Sequence, residues 1–460
     1  MPEQSGADPF RPDGLHQFLL RHPPATTYHI AYSGGLDSTV LLHLCCSVRK
    51  ENRGYHFRAI HVHHGLQANA DGWAQHCQQV CTHLGLPLDI LRVHARKQVG
   101  QSPEEAARNA RYEAIRGLMK PGDGLLTAQH QDDQAETLLL QLFRGAGLQG
   151  LAAMADAMPY FDGQLLRPLL RTPRETIRAY ADAHRLDWIE DPSNSSEDFD
   201  RNFLRQRIMP QLKARWPGIN RTLSRSAFHC AEAHQLLDTQ AQALMATLVT
   251  PDDKGRLPIV PMRALSRAEQ KLALRKWLHR HGYRMPPTRI MNGILTEIQA
   301  DDPDRTPRIH WPEGEIRRYR NELFLLPPLN APPPPSAQTW DGIHPLTLAF
   351  GNGSVIAEAT TGDGIRMSLW KTGHISIRGR TGGEKLRLPG RQGTHALKKL
   401  FQEAGIPSWV RDHVPLVYLD GTLAAMAMPF RVSIDVAARA SEPGVILRWI
   451  GPSWIPEYTP

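Results

Sequence analysis

The chain has 460 residues, enough for about three domains of roughly 150 residues each, and 41% of them are hydrophobic, which is ample for a buried core. Its formal net charge of +8 favours a polyanionic partner such as nucleic acid. No run approaches the roughly 18 apolar residues that a membrane helix needs, and the first residues contain no apolar core of signal-peptide length. These features predict neither a membrane span nor secretion.

Cysteine usage points to a reducing compartment. The five cysteines form an odd set without a Cys-x-x-Cys pair, so neither a disulfide framework nor a zinc ribbon is predicted. We therefore expect a cytoplasmic protein. The sequence leaves the oligomeric state open, with a homodimer as one option.

The first 215 residues alternate short β-prone runs with helical patterns. Strands are predicted at 28–32, 57–63, 88–93 and 124–128, with helices between them. This order predicts an α/β architecture with a doubly wound parallel sheet. Because ligands of such sheets bind beyond the carboxyl ends of the strands, motifs that directly follow each strand should converge in space.

A loop with two glycines follows the first predicted strand and precedes a leucine-rich helix: Ser33, Gly34, Gly35, Leu36, Asp37 and Ser38. Glycines permit positive φ and close approach, so backbone N–H groups can converge on a phosphate at the positive end of the helix. The serine hydroxyls are further donors, and Asp37 can hold a divalent cation against phosphates. The loop lacks the Gly-Lys-Ser/Thr ending that clamps a γ-phosphate with lysine. An ordinary tight turn is the alternative.

Three histidines within four residues end the second predicted strand, in the run from His61 to Gln67. His61 and His63 would share one face of that strand, which raises the option of a metal site. No carboxylate or cysteine at ligand spacing accompanies them. A strand-end loop that contacts adenine or ribose explains them as well.

The next helix is predicted to begin with a capping box, in which Ser102 is the N-cap, Pro103 lies in the first turn and Glu105 follows. Further along it, Arg108 and Arg111 lie three residues apart on one face. Their place beside the strand ends favours contact with a phosphate or the substrate, because a guanidinium offers a bidentate fork. A solvated helix surface is the alternative.

The densest cluster of polar residues follows the fourth predicted strand. Asp133, Glu136 and Thr137 fall at i, i+3 and i+4 of a predicted helix and so share one face, while leucines occupy the others. The helix macrodipole favours acids in a first turn, which explains Asp132 but not His130. The carboxylates could hold magnesium, recognise an ammonium group or accept a proton from an attacking amine.

The last motif of this region is a basic helix after the segment 191–194, in which Arg201 and Arg205 share a face. Taken in chain order from residue 28 to about residue 215, these motifs closely resemble the PP-loop ATP pyrophosphatase superfamily and, within it, the tRNA(Ile)-lysidine synthetases. Members of that family commonly carry an acid at the position of His63 and an arginine at that of Gln67. This chain departs at both positions.

The resemblance implies a ligase that uses ATP to adenylylate the C2 carbonyl oxygen of the wobble cytidine of a CAU-anticodon tRNA(Ile), with release of pyrophosphate. The ε-amine of free L-lysine then displaces AMP, because adenylylation turns a poor electrophile into one with a good leaving group. The product, lysidine, switches codon and amino-acid specificity from Met to Ile.

Site residues follow from the same resemblance. The loop from Ser33 to Ser38 would bind ATP with His61 beside it, and Asp37 would hold Mg²⁺ and belong to the catalytic set. The rest of the cleft for base, lysine and adenylate would consist of Arg108, His130, Asp133, Glu136, Arg201 and Arg205.

Three other interpretations compete with this one. A tRNA thiolase of the same superfamily would be expected to carry paired catalytic cysteines, and Cys77 and Cys81 stand at Cys-x-x-x-Cys spacing in a predicted helix. An amidotransferase-type relative would need a glutaminase module. A non-catalytic tRNA-binding protein with a relic ATP loop is the third, and the intact Asp37, Asp133 and Glu136 argue against it.

Beyond residue 217 the pattern changes. A mostly helical stretch contains a capping box at 266–269, and the helix that follows carries an apolar stripe beside a basic one, which is a solvated surface or a face for tRNA. A proline-rich run then forms a stiff linker. The predicted domains are 1–217 (ATP-binding and catalytic), 218–326 (helical, tRNA-contacting), 327–339 (linker) and 340–460 (a smaller α+β domain that binds tRNA).

The last predicted domain shows β-like alternation at 344–359 and 416–428. Between them, glycines and a proline interrupt a stretch rich in lysine and arginine, which suits a loop-plus-helix surface that follows phosphates. Long members of the family are similar, in that two appended domains help to hold the tRNA body.

Overall fold

The structure, a computed structural model, describes residues 11–63, 69–93, 103–190, 199–250, 253–300, 307–329, 332 and 336–455, with the side chains of 103–108 outside that description. It divides into two compact units, Met1–Leu237 and Asp238–Pro460. Each unit has hydrophobic clusters of its own. Within the described ranges, no helix is long and apolar enough to cross a membrane.

The first unit is built on a sheet whose strands stand in the order β3-β2-β1-β4-β6-β5. They are β1 (Tyr28–Ala31), β2 (Phe57–His63), β3 (Leu88–Arg92), β4 (Gly124–Leu126), β5 (Ala157–Tyr160) and β6 (Gly163–Leu166). β1 pairs in parallel with β2 and β4, β2 with β3, and β4 with β6, so the carboxyl ends of these strands share one edge. The predicted doubly wound fold and its four predicted strands are confirmed.

One edge of the sheet differs from a purely parallel arrangement. β5 runs antiparallel to β6 in a hairpin that turns at Phe161 and Asp162. Each strand has only four residues, and Pro159 lies within β5, so neither shows the alternation that identifies a strand from sequence. Proline is tolerated there because β5 is an edge strand.

Helices cover both faces of this sheet. They are α1 (Pro12–Leu20), α2 (Leu36–Glu51), α3 (Ala70–His83), α4 (Pro103–Arg116), α5 (Gln131–Phe143), α6 (Leu148–Leu151), α7 (Arg174–Ala183), α8 (Asp200–Phe203), α9 (Met209–Arg215) and α10 (Ile219–Leu248), which continues into the second unit. Leu41 and Leu44 of α2 are buried with Ile30 on one face, and Ile115 of α4 is buried with Leu125 on the other. This arrangement brings the first turns of α2 and α5 to the carboxyl ends of the neighbouring strands β1 and β4.

The second unit begins with helices and adds a small antiparallel sheet of order β7-β10-β9-β8. Its elements are β7 (Arg256–Pro258), α11 (Ile259–Arg263), α12 (Arg267–Arg280), α13 (Thr288–Gln299), β8 (Arg308–Trp311), β9 (Gly314–Tyr319) and β10 (Glu322–Leu326). Leu274, Trp277 and Leu278 are fully buried, as the predicted apolar stripe requires. The predicted capping box is present, because Glu269 N–H donates to Ser266 Oγ at 3.3 Å and Ser266 N–H donates to Glu269 Oε2 at 2.9 Å. The four-stranded sheet was not predicted, because the sequence indicated mostly helices in this stretch.

The chain after the linker forms an α+β arrangement, as predicted. Its sheets have the orders β11-β15-β18-β19-β20, β12-β13-β21-β14 and β16-β17. The elements are β11 (Gln338–Trp340), β12 (Leu346–Thr347), β13 (Ser354–Thr361), β14 (Ile365–Arg366), α14 (Met367–Thr372), β15 (Ile375–Arg378), β16 (Lys385–Leu386), β17 (His395–Ala396), α15 (Leu397–Glu403), α16 (Ser408–Arg411), β18 (Leu416–Leu419), β19 (Thr422–Ala427), β20 (Phe430–Val432) and β21 (Pro443–Ile450). Residues 330, 331 and 333–335 of the predicted linker lie outside the described residues.

Ion pairs neutralise part of the basic stretch in this region. Three of its arginines pair at 2.7 to 3.1 Å with carboxylates: Arg380 with Asp412, Arg387 with Asp435 and Arg391 with Glu403. Lys398 and Lys399 are exposed on α15. The positive surface is therefore a mixture of paired arginines and exposed lysines.

Candidate active site

The glycine loop joins β1 to α2 at the carboxyl edge of the sheet. Gly34 adopts a φ of +86°, and a Cβ there would lie 2.7 Å from Ile189 Cδ1 and 3.0 Å from Cys77 Sγ. Both the left-handed backbone and the lack of space therefore require glycine. Ile189 N–H also donates to the Gly34 carbonyl at 2.9 Å, which anchors the loop from a distant part of the chain.

Serine hydroxyls brace this loop internally. Ser33 Oγ and Ser38 Oγ are 3.0 Å apart, Ser38 Oγ donates to the Gly35 carbonyl at 3.0 Å, and Gly35 N–H donates to Ser33 Oγ at 3.3 Å. Gly35 is the N-cap of α2 and supplies no side-chain cap, so the first turn of α2 lacks a side-chain acceptor at its N-cap. A helix start of that kind is suited to an anion.

Asp37 lies in the first turn of α2 and faces the start of α5. Its Oδ2 is 3.6 Å from Nε2 of the buried His130, while its Oδ1 is buried with no hydrogen-bond partner among the described residues. An unpaired buried carboxylate oxygen is costly and fits a cation. Within the described ranges no group of three or more His, Cys, Asp or Glu side chains could hold a metal, so a cation here would take one carboxylate and the phosphates, as Mg²⁺ commonly does.

His130 is the N-cap of α5 and forms a capping box. Asp132 N–H donates to its Nδ1 at 3.2 Å, and its own N–H donates to Asp133 Oδ2 at 3.0 Å. Burial alone would lower the pKa of His130, but the carboxylates of Asp133 and Asp37 outweigh burial and raise it. The imidazole therefore links the loop carboxylate to the acidic face of α5.

Two arginines pair with that acidic face. Arg201 donates from Nη2 to Asp133 Oδ1 and from Nε to Glu136 Oε2, both at 2.9 Å. Arg205 donates to Asp133 Oδ1 at 2.9 Å and to both oxygens of Glu136 at 2.7 and 2.8 Å. Burial would raise the pKa of Asp133, but His130 and the two arginines lower it overall. The four side chains form a partly buried cluster whose formal charges cancel.

A π-helical segment, Leu204–Ile208, carries Arg205 between α8 and α9. Pro210 has no N–H to donate to the carbonyl of residue 206, and a wider turn accommodates this loss. Near the end of α9, Lys213 Nζ contacts Asp132 Oδ2 at 2.7 Å. The acids at the start of α5 are thus held from the segment after residue 199.

His61 lies beneath the glycine loop. It is 5% exposed, and its Nδ1 is 3.0 Å from the carbonyl oxygen of Tyr32 and 3.4 Å from Cys77 Sγ. Burial lowers the pKa of His61. His63 contacts Asp71 at 3.2 Å instead. The structure brings His61 to the loop, and its contact with a nucleotide stays a prediction.

Several predicted site features lie outside the described residues. The side chain of Arg108 is one, although its backbone belongs to α4. The others are the N-cap at Ser102 and the segments 64–67 and 191–194. Sequence analysis missed Ile189 and Lys213, because an isolated isoleucine or a lysine near a helix end carries no local signal.

The loop at the end of β1, on a doubly wound parallel sheet, defines a PP-loop domain, and the family model "PP-loop domain" matches residues 14–212. Models described as "TilS substrate binding domain" and "TilS substrate C-terminal domain" match 257–324 and 375–449. The chain belongs to the tRNA(Ile)-lysidine synthase family.

Relatives support this assignment over nearly the whole length. The tRNA(Ile)-lysidine synthase of Methylococcus capsulatus is 49% identical, over 96% of this chain and 98% of its own. Those of Alkalilimnicola ehrlichii and Escherichia coli O157:H7 are 44% and 42% identical, over 90% and 91% of this chain and 92% and 95% of theirs. The predicted family and the class of ATP-dependent tRNA-modifying ligase are confirmed.

Gly34→Ala should destabilise the loop, by about 1–2 kcal/mol for the left-handed backbone alone and more for the contact with Ile189. Amide hydrogen exchange of α2 in the chain without ATP measures this. Gly35→Ala is the matched control, since Gly35 has a φ of −76° and its Cβ would meet only ordinary contacts at 3.5 Å or more. Equal loss of protection in the two variants would refute the backbone requirement at Gly34.

Lys213→Met should loosen α9 from α5 by about 1–3 kcal/mol at pH 7, because Asp132 loses its charged partner. Burial would raise the pKa of Asp132, but Lys213 outweighs it and the pKa is lowered on folding. The contribution of the pair is therefore present above about pH 4 and disappears as pH falls through the lowered pKa. Exchange of α9 amides, followed from pH 7 downward, should show the difference between variant and wild type at neutral pH and its loss as Asp132 becomes protonated.

Lys276→Met is the control for that experiment, since it removes an equally short pair with Asp238 from the second unit. It should leave the α9 amides unchanged. A wild-type rate of exchange in the Lys213 variant at pH 7 would show that the pair does not hold α9.

Proposed function

We propose that the chain attaches free L-lysine to C2 of the wobble cytidine of CAU-anticodon tRNA(Ile) through an adenylylated cytidine, with conversion of ATP to AMP and diphosphate. The product would switch the codon and amino-acid specificity of that tRNA from Met to Ile. Family membership over nearly the full chain supports this reaction. The observation that carries it is the buried Asp37 Oδ1, which has no hydrogen-bond partner in the part of the chain that the structure describes and lies between the glycine loop and the acidic face of α5.

The loop end of the site suits the diphosphate of ATP. The Gly34 backbone, fixed by packing, and the N-terminus of α2, which has no side-chain cap, offer N–H groups and a positive dipole to an anion. We assign Asp37 as the protein ligand of Mg²⁺, which would neutralise phosphate charge. The serine hydroxyls already bond within the loop, so we assign them to holding its shape.

The acids of α5 are assigned to orienting arginines. Asp133 and Glu136 already accept five hydrogen bonds from Arg201 and Arg205 among the described contacts, so neither offers a free carboxylate to a lysine ammonium in this arrangement. Guanidiniums held in this way can stabilise negative charge on the oxygens of the α-phosphoryl group, whose phosphorus the cytidine oxygen attacks. Diphosphate leaves in that step, and AMP leaves with the former C2 oxygen when the lysine amine attacks C2.

The thiolase interpretation loses support from the cysteines. Cys77 and Cys81 are fully buried in α3, and burial raises the pKa of each to about 12. Catalytic cysteines need accessible thiolates at neutral pH. The cysteines are free thiols, which suits the cytoplasmic location that we propose. We also retain 1–217, 218–326, 327–339 and 340–460 as proposed domain boundaries.

The direct test is incubation of the full chain with ATP, Mg²⁺, labelled L-lysine and CAU-anticodon tRNA(Ile), beside the matching methionine tRNA. We expect label in the isoleucine tRNA alone, with one AMP and one diphosphate released per lysine. Label in neither RNA would overturn the reaction. Label in both would overturn its specificity.

Asp37→Asn should reduce lysine incorporation by about 100-fold or more, because the carboxylate that would hold the cation against the phosphates is lost. Affinity for tRNA should stay within a few-fold, since this residue belongs to the loop that we assign to ATP. Asp13→Asn is the matched control, because Asp13 is an exposed acid in the first turn of α1 in the same unit. Unchanged turnover in the Asp37 variant would remove its assigned role.

A further inference from the structure

An exposed phenylalanine ring on α10 packs against an arginine guanidinium. Phe228 of α10 is 44% exposed, and the guanidinium carbon of Arg171 lies 5.0 Å from the centre of its ring. Arg171 Nη2 also pairs with Asp156 at 3.0 Å, which restrains the guanidinium. A single exposed apolar side chain is ordinary, but a ring held against an ion-paired guanidinium is a defined surface.

The loop that carries Arg171 is tied to the start of α5. Gln131 N–H donates to the Thr172 carbonyl at 3.0 Å, and Gln131 Nε2 donates to the Arg171 carbonyl at 3.3 Å. Gln131 directly follows His130, which contacts Asp37. The loop that carries Arg171 therefore lies directly beside the first turn of α5, next to His130 of the candidate active site.

The surroundings of the ring are charged rather than apolar. Arg174, Arg221 and Arg225 are exposed on the elements that carry the two residues or follow them. A surface rich in exposed arginine favours an anionic partner over the apolar face of another protein. Unpaired RNA nucleotides combine phosphates with planar bases that stack on phenylalanine and arginine.

We propose that Arg171 and Phe228 form a stacking platform for an unpaired base of the anticodon loop as the RNA enters the site. The proposal rests on the proposed function, because only that substrate brings unpaired bases to this edge of the sheet. Phe228 supplies the apolar face, and Arg171 supports the ring and adds positive charge. Both would contact the RNA, and among the described contacts neither side chain pairs with Asp37, His130 or the acids of α5.

Phe228→Leu in the full chain tests the platform. Loss of one stacked base should weaken binding of the CAU-anticodon tRNA(Ile) about 5- to 150-fold and raise its KM, with kcat and the KM for ATP unchanged. The fluorescence of a CAU stem-loop that carries 2-aminopurine in the loop should be quenched by stacking when the wild-type chain binds it. Phe228→Leu should abolish this quenching. Phe228→Trp keeps an aromatic face and should restore both affinity and quenching.

Phe161→Leu is the matched control. Phe161 is 51% exposed and has the Arg116 guanidinium 4.1 Å from its ring centre, but it lies in the β5–β6 turn, at the amino end of β6 and away from the site. Its substitution should leave RNA binding and quenching unchanged. Equal losses in the Leu variants of Phe161 and Phe228 would overturn the platform.

The remaining outcomes separate this proposal from the proposed function. Wild-type affinity and quenching in Phe228→Leu, with wild-type enzyme that modifies tRNA, overturn the platform alone. A loss of RNA affinity in Phe228→Trp equal to that in Phe228→Leu also overturns the platform. A change of oligomeric state in Phe228→Leu with unchanged RNA affinity would instead assign the ring to a subunit interface. Wild-type enzyme that neither binds nor modifies tRNA overturns both proposals.

Discussion

Two carboxylates and two guanidiniums that neutralise one another hold the candidate site together. The side chains of Glu136 and Asp133 are 3% and 13% exposed, and an unpaired charge at that depth would cost several kcal/mol. Arg201 and Arg205 offset this cost with hydrogen bonds of 2.7 to 2.9 Å from residues 65 to 72 positions away. Removal of one partner of a buried ion pair typically costs about 3–5 kcal/mol. Separation of the segment after residue 199 from α5 is therefore strongly unfavourable.

The same pairing separates two roles in the proposed reaction, the binding of a cation and the stabilisation of charge by arginines. With the acids of α5 neutralised, Asp37 keeps a buried oxygen that has no partner among the described residues, which is why we proposed Asp37 rather than an acid of α5 as the Mg²⁺ ligand. A π-helical turn brings Arg205 to carboxylates that Arg201 also reaches, and such turns are frequent at functional sites. Electrostatic balance in the cluster thus fixes arginines in place before any ligand arrives, which is the preorganisation that charge stabilisation needs.

Features set by local periodicity could be predicted from the sequence, and features set by distant contacts could not. The four parallel strands, the positive φ of Gly34 and the shared face of Asp133 and Glu136 follow from patterns within a few residues. The resemblance predicted Arg201 and Arg205 in the same cleft as that face, but their direct ion pairs with it could not be read, because spacing along one helix does not identify its partner 65 residues on. The internal bonding of Ser33 and Ser38 was equally hidden, since a hydroxyl suits a phosphate or a backbone carbonyl.

His130 shows how closely the loop and the helix depend on each other. Its Nδ1 accepts the Asp132 N–H, a role that requires a lone pair and opposes protonation of that nitrogen. The carboxylates of Asp133 and Asp37 favour the charged form and raise its pKa against burial. The neutral tautomer that keeps a lone pair on Nδ1 carries its proton on Nε2, which lies 3.4 Å from Asp133 Oδ2 and 3.6 Å from Asp37 Oδ2. The residue that caps α5 therefore also responds to the charge on the loop carboxylate, and Arg205 of the cluster interacts electrostatically with the same carboxylate, so the loop and the acidic face of α5 are coupled through both side chains.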